Sequence, residues 1–298
     1  MVHTEIQEKN RNKYFYRVKN FRDGKSIKKE RVYLGVNLKE DELKKKEGEA
    51  DKKLNVLTVI LSKEDKIFLE KIKRDFSKEP KENYENRYES FCSLFAYDST
   101  GIEGNTMTLE ETSFLLFEGI VPKEKSLREV HEVINHKKAF DYILSYKGDI
   151  TKEFILKLHE LVVLNTLRQD LISQIGKYRI VQVFIGRSFP PKPQDVPDKM
   201  GGLLRWYSSN KKTLHPLILA SHFHAEFEKI HPFVDGNGRV GRLLMNFILY
   251  KNKFPMINIP KKIRFRYYEV LQDAQYKNNL KPFVRFLINI LKKDKLRF

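Results

Sequence analysis

Cysteine is almost missing from this chain. Cys92 is the one cysteine in 298 residues, which excludes an internal disulfide and any zinc site built on several thiolates. No apolar run reaches the ~18 residues that a membrane-spanning helix needs. The opening MVHTEIQEKNRNKYFYRV lacks the apolar core of a secretory leader. These absences lead us to expect a reducing, cytoplasmic setting with no membrane partner. With 14 glycines and 11 prolines, the chain is neither collagen-like nor low in complexity.

Apolar residues make up 41% of the chain and charged residues 32%, enough for a sizeable core under an ion-rich surface. Lysine and arginine number 57 against 39 acids, a net charge of +18. Residues 251–298 hold 13 basic and 3 acidic side chains, and the first fifty hold 14 and 9. Such a balance suits polyanionic partners, whether nucleic acid, a membrane surface or nucleotide phosphates, and does not choose among them. Solvated lysine-rich helix faces would give the same arithmetic.

Residues 14–18 and 31–36 are aromatic or β-branched and flank Asp23-Gly24-Lys25, which predicts a β-hairpin. Residues 38–56 are charged and helix-prone without a clear apolar face, and read as a linker helix. We therefore expect an N-terminal module over 1–56 and a main domain over 57–298, opened by a helix over 57–76. The hairpin is too short to bury a core alone, so it should pack on the main domain, a partner or a second copy. Helical periodicity predicts helices over 89–98, 108–117, 126–146, 151–165, 198–209, 215–230, 238–252, 263–277 and 280–293. One internal stretch, Lys-Tyr-Arg-Ile-Val-Gln-Val-Phe-Ile over 177–185, reads as β. The fold class is mainly α.

The most informative segment is Ile230-His-Pro-Phe-Val-Asp-Gly-Asn-Gly-Arg-Val-Gly-Arg242. Gly236-Asn237-Gly238 is a tight turn before an apolar helix, so it can present main-chain N–H groups to a phosphate. Arg239 and Arg242 are three apart on that helix and suit a polyphosphate. Asp235 is a carboxylate placed to hold Mg²⁺ beside phosphates. His231 ends the preceding helix and has the pKa of a general base at neutral pH.

This twelve-residue run resembles the signature of Fic-domain proteins, His-Pro-Phe-x-(Asp/Glu)-Gly-Asn-Gly-Arg-x-x-Arg, at every fixed place. Gly176-Lys-Tyr-Arg179 through Val183-Phe184-Ile185-Gly186 is similar to the family's flap hairpin, and the likeness runs from about residue 90 to 293. The resemblance implies a Fic-type helical bundle with a short β-hairpin flap, beside the small N-terminal hairpin module. It implies AMP transfer from ATP, with Mg²⁺, to a Ser, Thr or Tyr hydroxyl of a target protein. In that reading His231 is the base and Asp235 holds the metal. Gly236, Asn237 and Gly238 cradle the α-phosphate, while Arg239 and Arg242 take the outer phosphates. The flap, Val183, Phe184, Ile185 and Gly186, borders the nucleotide and pairs with the target. Tyr267 and Tyr268 resemble the aromatic pair near the base, and Gln275 stands where relatives carry Asn.

Read alone, Ser99-Thr-Gly-Ile-Glu-Gly-Asn105 is a helix start with a capping-box glutamate. It also resembles the family's inhibitory motif, with Ser99, Glu103 and Gly104 in the fixed places and an inhibitory helix near 99–117. The resemblance implies that Glu103 pairs with Arg242 and restrains transfer. The same glutamate leaves open a hydrolase that removes AMP, and the basic charge leaves open a nucleic-acid-binding regulator. Self-modification and homodimerisation are open as well. His215, His222 and His224 do not share a zinc-binding face, and Cys92 belongs to the core.

Overall fold

Alternating aromatic and polar residues in the first 36 positions form a three-stranded antiparallel sheet ordered β1 (Val2–Lys9), β2 (Asn12–Asp23) and β3 (Ser26–Val36). Strands β2 and β3 are the hairpin that the sequence predicts. Strand β1 is an addition: with Val2 and Ile6 as its only apolar residues, its alternation is too faint to read. The computed structural model describes the chain apart from residues 1, 10, 24, 25, 54–56, 58, 59, 79, 185–189, 278 and 295–297. The chain divides into two units, Met1–Leu61 and Ser62–Phe298.

In the first unit, helix α1 (Glu40–Lys53) lies on the sheet. Phe15, Leu34 and Ala50 form a small core, with Val32, Leu38 and Leu43 packed against it. Arg17 clamps the helix, donating from Nε and Nη2 to the two Asp51 oxygens at 2.7 and 2.9 Å. The expected linker helix is therefore part of the sheet's own core. The hairpin covers its apolar face with that helix. Leu43 and Ala50 are two turns apart, too few residues to show a period.

The second unit is mainly helical. Helix α2 (Lys63–Ser77) starts at a complete capping box of Ser62 and Asp65. Helix α3 (Tyr84–Ile102) follows, and α4 (Leu109–Ser113) runs into a π-helical turn over Phe114–Glu118. The later helices are α5 (Leu127–Ser145), α6 (Lys152–Val163), α7 (Val196–Asn210), α8 (Pro216–Ile230), α9 (Asn237–Lys251), α10 (Arg264–Tyr276) and α11 (Lys281–Lys293). These seven lie within two residues of the expected spans. The early ones differ. Residues 99–103 end α3 rather than begin a helix, and the capping box there is Thr108 with Glu111. No single helix spans 99–117.

Helix α9 is the centre of the unit. From Val240 to Leu249 every side chain is buried. A helix apolar on nearly all sides has no face for water, so it must sit inside. It packs against α3, α5, α6 and α8. The site assembles around its N-terminus.

Candidate active site

Helix α8 ends at His231, which adopts a left-handed conformation with φ 50° and ψ 64°. That region costs a non-glycine residue roughly 1–2 kcal/mol. Two main-chain bonds hold it there: His231 N donates to Phe227 O at 2.9 Å, and Arg179 Nε donates to His231 O at 2.8 Å. Burial pushes the imidazole down to about 4, against the Glu228 main-chain carbonyl, Glu103 and Asp235. The ring is therefore neutral and able to accept a proton.

The loop after His231 is braced from within. Asn237 Oδ1 accepts from Phe233 N at 2.9 Å, and Asn237 Nδ2 donates to Phe233 O at 2.8 Å. His159 stacks on Phe233, accepts from Gly176 N at 3.1 Å and places Nε2 3.2 Å from Asp235 O. Gly236 has φ 78°, and a Cβ there would come 2.7 Å from Val163 Cγ1. Glycine is required on both counts. The side chain of Asn237 is thus spent on the loop, and any cradle for a phosphate is main-chain.

The acids and arginines form two sets. Asp235 Oδ1 accepts from Gly236 N at 2.5 Å and from Arg239 Nη2 at 3.1 Å, and its Oδ2 accepts from Arg128 Nη2 at 3.1 Å. Arg239 is buried, with Nη1 3.6 Å from Glu132 Oε1. Arg242, also buried, donates from Nε to Ser99 Oγ at 3.0 Å and from Nη2 to Ser99 O at 2.8 Å and Glu103 Oε1 at 2.7 Å. The two arginines, three apart, serve different partners. Burial lowers the Arg242 pKa, but Glu103, Tyr267 and Glu228 outweigh it and leave the group raised.

Glu103 reaches into the start of α9. A Cβ on residue 238 would overlap its Oε1 and come 3.0 Å from Arg242 Nη1. A carboxylate there meets the positive end of the helix. The turn behind it is moored to α5. Asn105 Nδ2 donates to Glu132 Oε2 at 3.1 Å, and Thr106 donates to Glu129 Oε1 from N at 3.0 Å and from Oγ1 at 2.7 Å. The Thr106 bonds pull Glu129 down to about 2.

Residues 149–249 match the family model described as Fic/DOC family. Over those residues the chain carries a Fic domain. It is 41% identical over 201 residues to "Protein adenylyltransferase Fic" of Drosophila sechellia and 39% identical to the protein of that name in Drosophila persimilis. Each match covers 66% of this chain and about two-fifths of the relative's length (40% and 39%). Among solved structures, a Fic domain containing signaling protein of Bacteroides thetaiotaomicron has a TM-score of 0.68 at 28% identity, over 76% of this chain and 92% of that one. Fic-1 of C. elegans has a TM-score of 0.69 at 26% identity, over 86% and 76%.

Tyr267 and Tyr268 of α10 differ. Tyr267 is buried, with its hydroxyl 2.7 Å from His224 Nε2. Tyr268 is part-exposed and donates to Ile102 O at 3.2 Å, beside Glu103. Gln275 is buried. Gly104 has φ 107°, a conformation that suits glycine. Residues 177–184, expected as a strand, carry no β-ladder. Val183 and Phe184 are described there, whereas Ile185 and Gly186 lie outside the described residues. Point contacts hold the segment instead: Arg179 N donates to Pro232 O, and its guanidinium to the carbonyls of Val181, Pro191 and His231.

Sequence reasoning passed over Arg128, Glu132, Asn105, His159 and Arg179 as site residues. They reach the site from other elements, and no local spacing marks them. Glu228 was also passed over, although three residues before His231 is one helical turn and could have been noticed.

Among the described residues, no group of three or more His, Cys, Asp or Glu could hold a metal. The residues do not form a protein cage. Asp235 does fit Mg²⁺ that brings phosphate oxygens and water as its other ligands. Its side chain is one-third exposed, and Arg128 on its outer oxygen is more than half exposed.

Proposed function

We propose that the chain transfers AMP from ATP to a Ser, Thr or Tyr hydroxyl of a protein, in the manner named for the relatives it matches. The observation that carries this reading is Glu103. A carboxylate of the chain itself occupies the anion position at the start of α9, bonded to Arg242. The same position suits a phosphate.

The hydroxyl oxygen would attack the α-phosphorus of ATP. The bond to the bridging oxygen breaks, pyrophosphate leaves, and the hydroxyl proton passes to His231. A protein hydroxyl is a poor nucleophile near neutral pH, so the base must act during attack. The N–H groups over 236–238 would face the α-phosphate, and Arg242 the γ-phosphate. Asp235 would hold Mg²⁺, which neutralises phosphate charge when bound. The segment with Val183 and Phe184 would run beside the target's backbone, an interaction tolerant of sequence. While Glu103 holds Arg242, the γ-phosphate lacks its partner, so the resting molecule is restrained.

Glu103 also favours a second reading. Its side chain is one-third exposed beside the phosphate position, where it could orient water to strip AMP from a modified target. The test for both is label transfer from ATP to protein with Mg²⁺. Loss of ~10²–10⁴-fold on His231→Ala, with the fold intact, is the expected result for a general base. Unchanged labelling by that variant overturns the transferase reading. Release of AMP from a pre-labelled target by the unaltered chain, but not by Glu103→Gly, puts the hydrolase first.

A further inference from the structure

Glu228 precedes His231 by one helical turn, and its side chain is only 10% exposed. Its Oε1 is buried without a hydrogen-bond partner, and the His231 ring beside it has only the Glu228 main-chain carbonyl. Glu228 Oε2 stands 3.8 Å from His231 Nδ1. Room for the carboxylate comes from Gly241 on α9. A Cβ there would come 2.5 Å from Glu228 Oε1 and 3.0 Å from the His224 ring. Burying an acid with an orphaned oxygen costs stability. Such groups gather at functional sites.

Building on the transferase reading, we propose that Glu228 is the positioning carboxylate of His231. It holds the ring from the Nδ1 side, leaves Nε2 for the hydroxyl, and balances the imidazolium formed when His231 takes the hydroxyl proton. A lone imidazolium is costly in a buried site, and an adjacent carboxylate offsets that cost. No bond to Glu228 forms or breaks. The charged groups around the pair are Arg242 from α9, Glu103 from the end of α3, and Arg179 and Asp235 from the flanking loops. His224 from α8 and Tyr267 and Tyr268 from α10 also face the pair. Burial raises the Glu228 carboxyl to about 8, against Arg242 and with Glu103. Its charged fraction therefore grows as pH rises towards that value, and the transfer rate should grow with it.

The test compares initial rates of label transfer from ATP by the full chain carrying Glu103→Gly, with and without Glu228→Gln, from mildly acidic to mildly alkaline pH, because losing Glu103 removes one cause of the raised Glu228 value. Glutamine keeps the shape and cannot take a charge. The expected loss is about ten- to a hundredfold in kcat, within the range of acid–base assistance. KM for ATP should stay within about twofold, the rise with pH should flatten, and Glu228→Asp should recover part of the rate. Gly241→Ala crowds the carboxylate without removing a phosphate-facing group, and should lower kcat the same way. Should the glutamine variant not fold, the aspartate and alanine variants decide. Unchanged kcat in these variants, or kcat and KM moving together, overturns the proposal. If His231→Ala transfers as well as its parent, the transferase reading itself fails. If transfer needs His231 but ignores Glu228, only this proposal fails.

Discussion

Glu103 and Gly238 share one space: the carboxylate of the first lies where a side chain on the second would begin. The absence of a side chain at residue 238 thus serves an anion that the chain itself supplies. The pair is 135 positions apart in sequence, and Arg242 closes the contact with a 2.7 Å bond to the same carboxylate.

Removing that carboxylate should release the site. A coupling of about 1–3 kcal/mol corresponds to ~5–150-fold in a population. Glu103→Gly is expected to raise self-labelling from ATP within that range, and Glu103→Asp, one methylene shorter, by less. ATP affinity should change less than turnover. Quantified label on the chain, beside calorimetric nucleotide binding, checks both.

In the proposed function Asp235 holds the metal. EDTA, or Asp235→Ala, should abolish transfer and weaken Mg²⁺-dependent nucleotide binding together. Arg128→Ala frees the outer Asp235 oxygen of its 3.1 Å partner and should lower the Mg²⁺ concentration needed for half-maximal rate. Metal titrations of the two variants decide the matter.

Stability should fall on mild acidification. Burial lowers His136 and His224 to about 3, and His159, His215, His222 and His231 to about 4, all below the ordinary 6.5. Below pH 6.5 the unfolded chain takes up protons that the folded chain refuses, so stability drops between 6.5 and about 4. Glu228, raised from 4.5 to about 8, works the other way, lending stability that is lost as pH rises through about 8. One acid does not offset six histidines in the lower window. Thermal melts at successive pH values should show Tm falling from pH 7 to pH 5.

The second unit should stand alone. Its first helix carries its own start signal, because Ser62 Oγ accepts from Asp65 N at 3.1 Å while Asp65 Oδ2 accepts from Ser62 N at 2.9 Å. A chain beginning at Ser62 is expected to fold and melt cooperatively, as followed by circular dichroism. A molten product would mean that the second unit does not fold alone.

The later helices were legible because each carries a full apolar stripe between strong stop signals, such as Gly236 before α9 and Asn252 after it. The early helices were harder to place. Ser99 and Glu103 have the residue types of a helix start, yet tertiary bonds to Arg242 use them at a helix end. The loop over 231–238 was readable since its residues are contiguous. Arg128, Glu132 and Arg179 were not, because only folding brings them to it. Arg239 and Arg242 looked like one phosphate clamp from their spacing. The acids that divide them, Asp235 with Glu132 and Glu103, lie on three separate segments.

Helix α5 touches both halves of this arrangement. Its Glu132 accepts from Asn105, behind Glu103, and from Arg128 Nε at 3.1 Å, while Arg128 also reaches Asp235. The Glu103–Arg242 pair and the arginine cover on Asp235 are thus both tied to a single turn of helix. A shift of that turn would loosen both at once. Switching would then be all-or-none, with the nucleotide's metal end and its γ-phosphate end becoming available as one event.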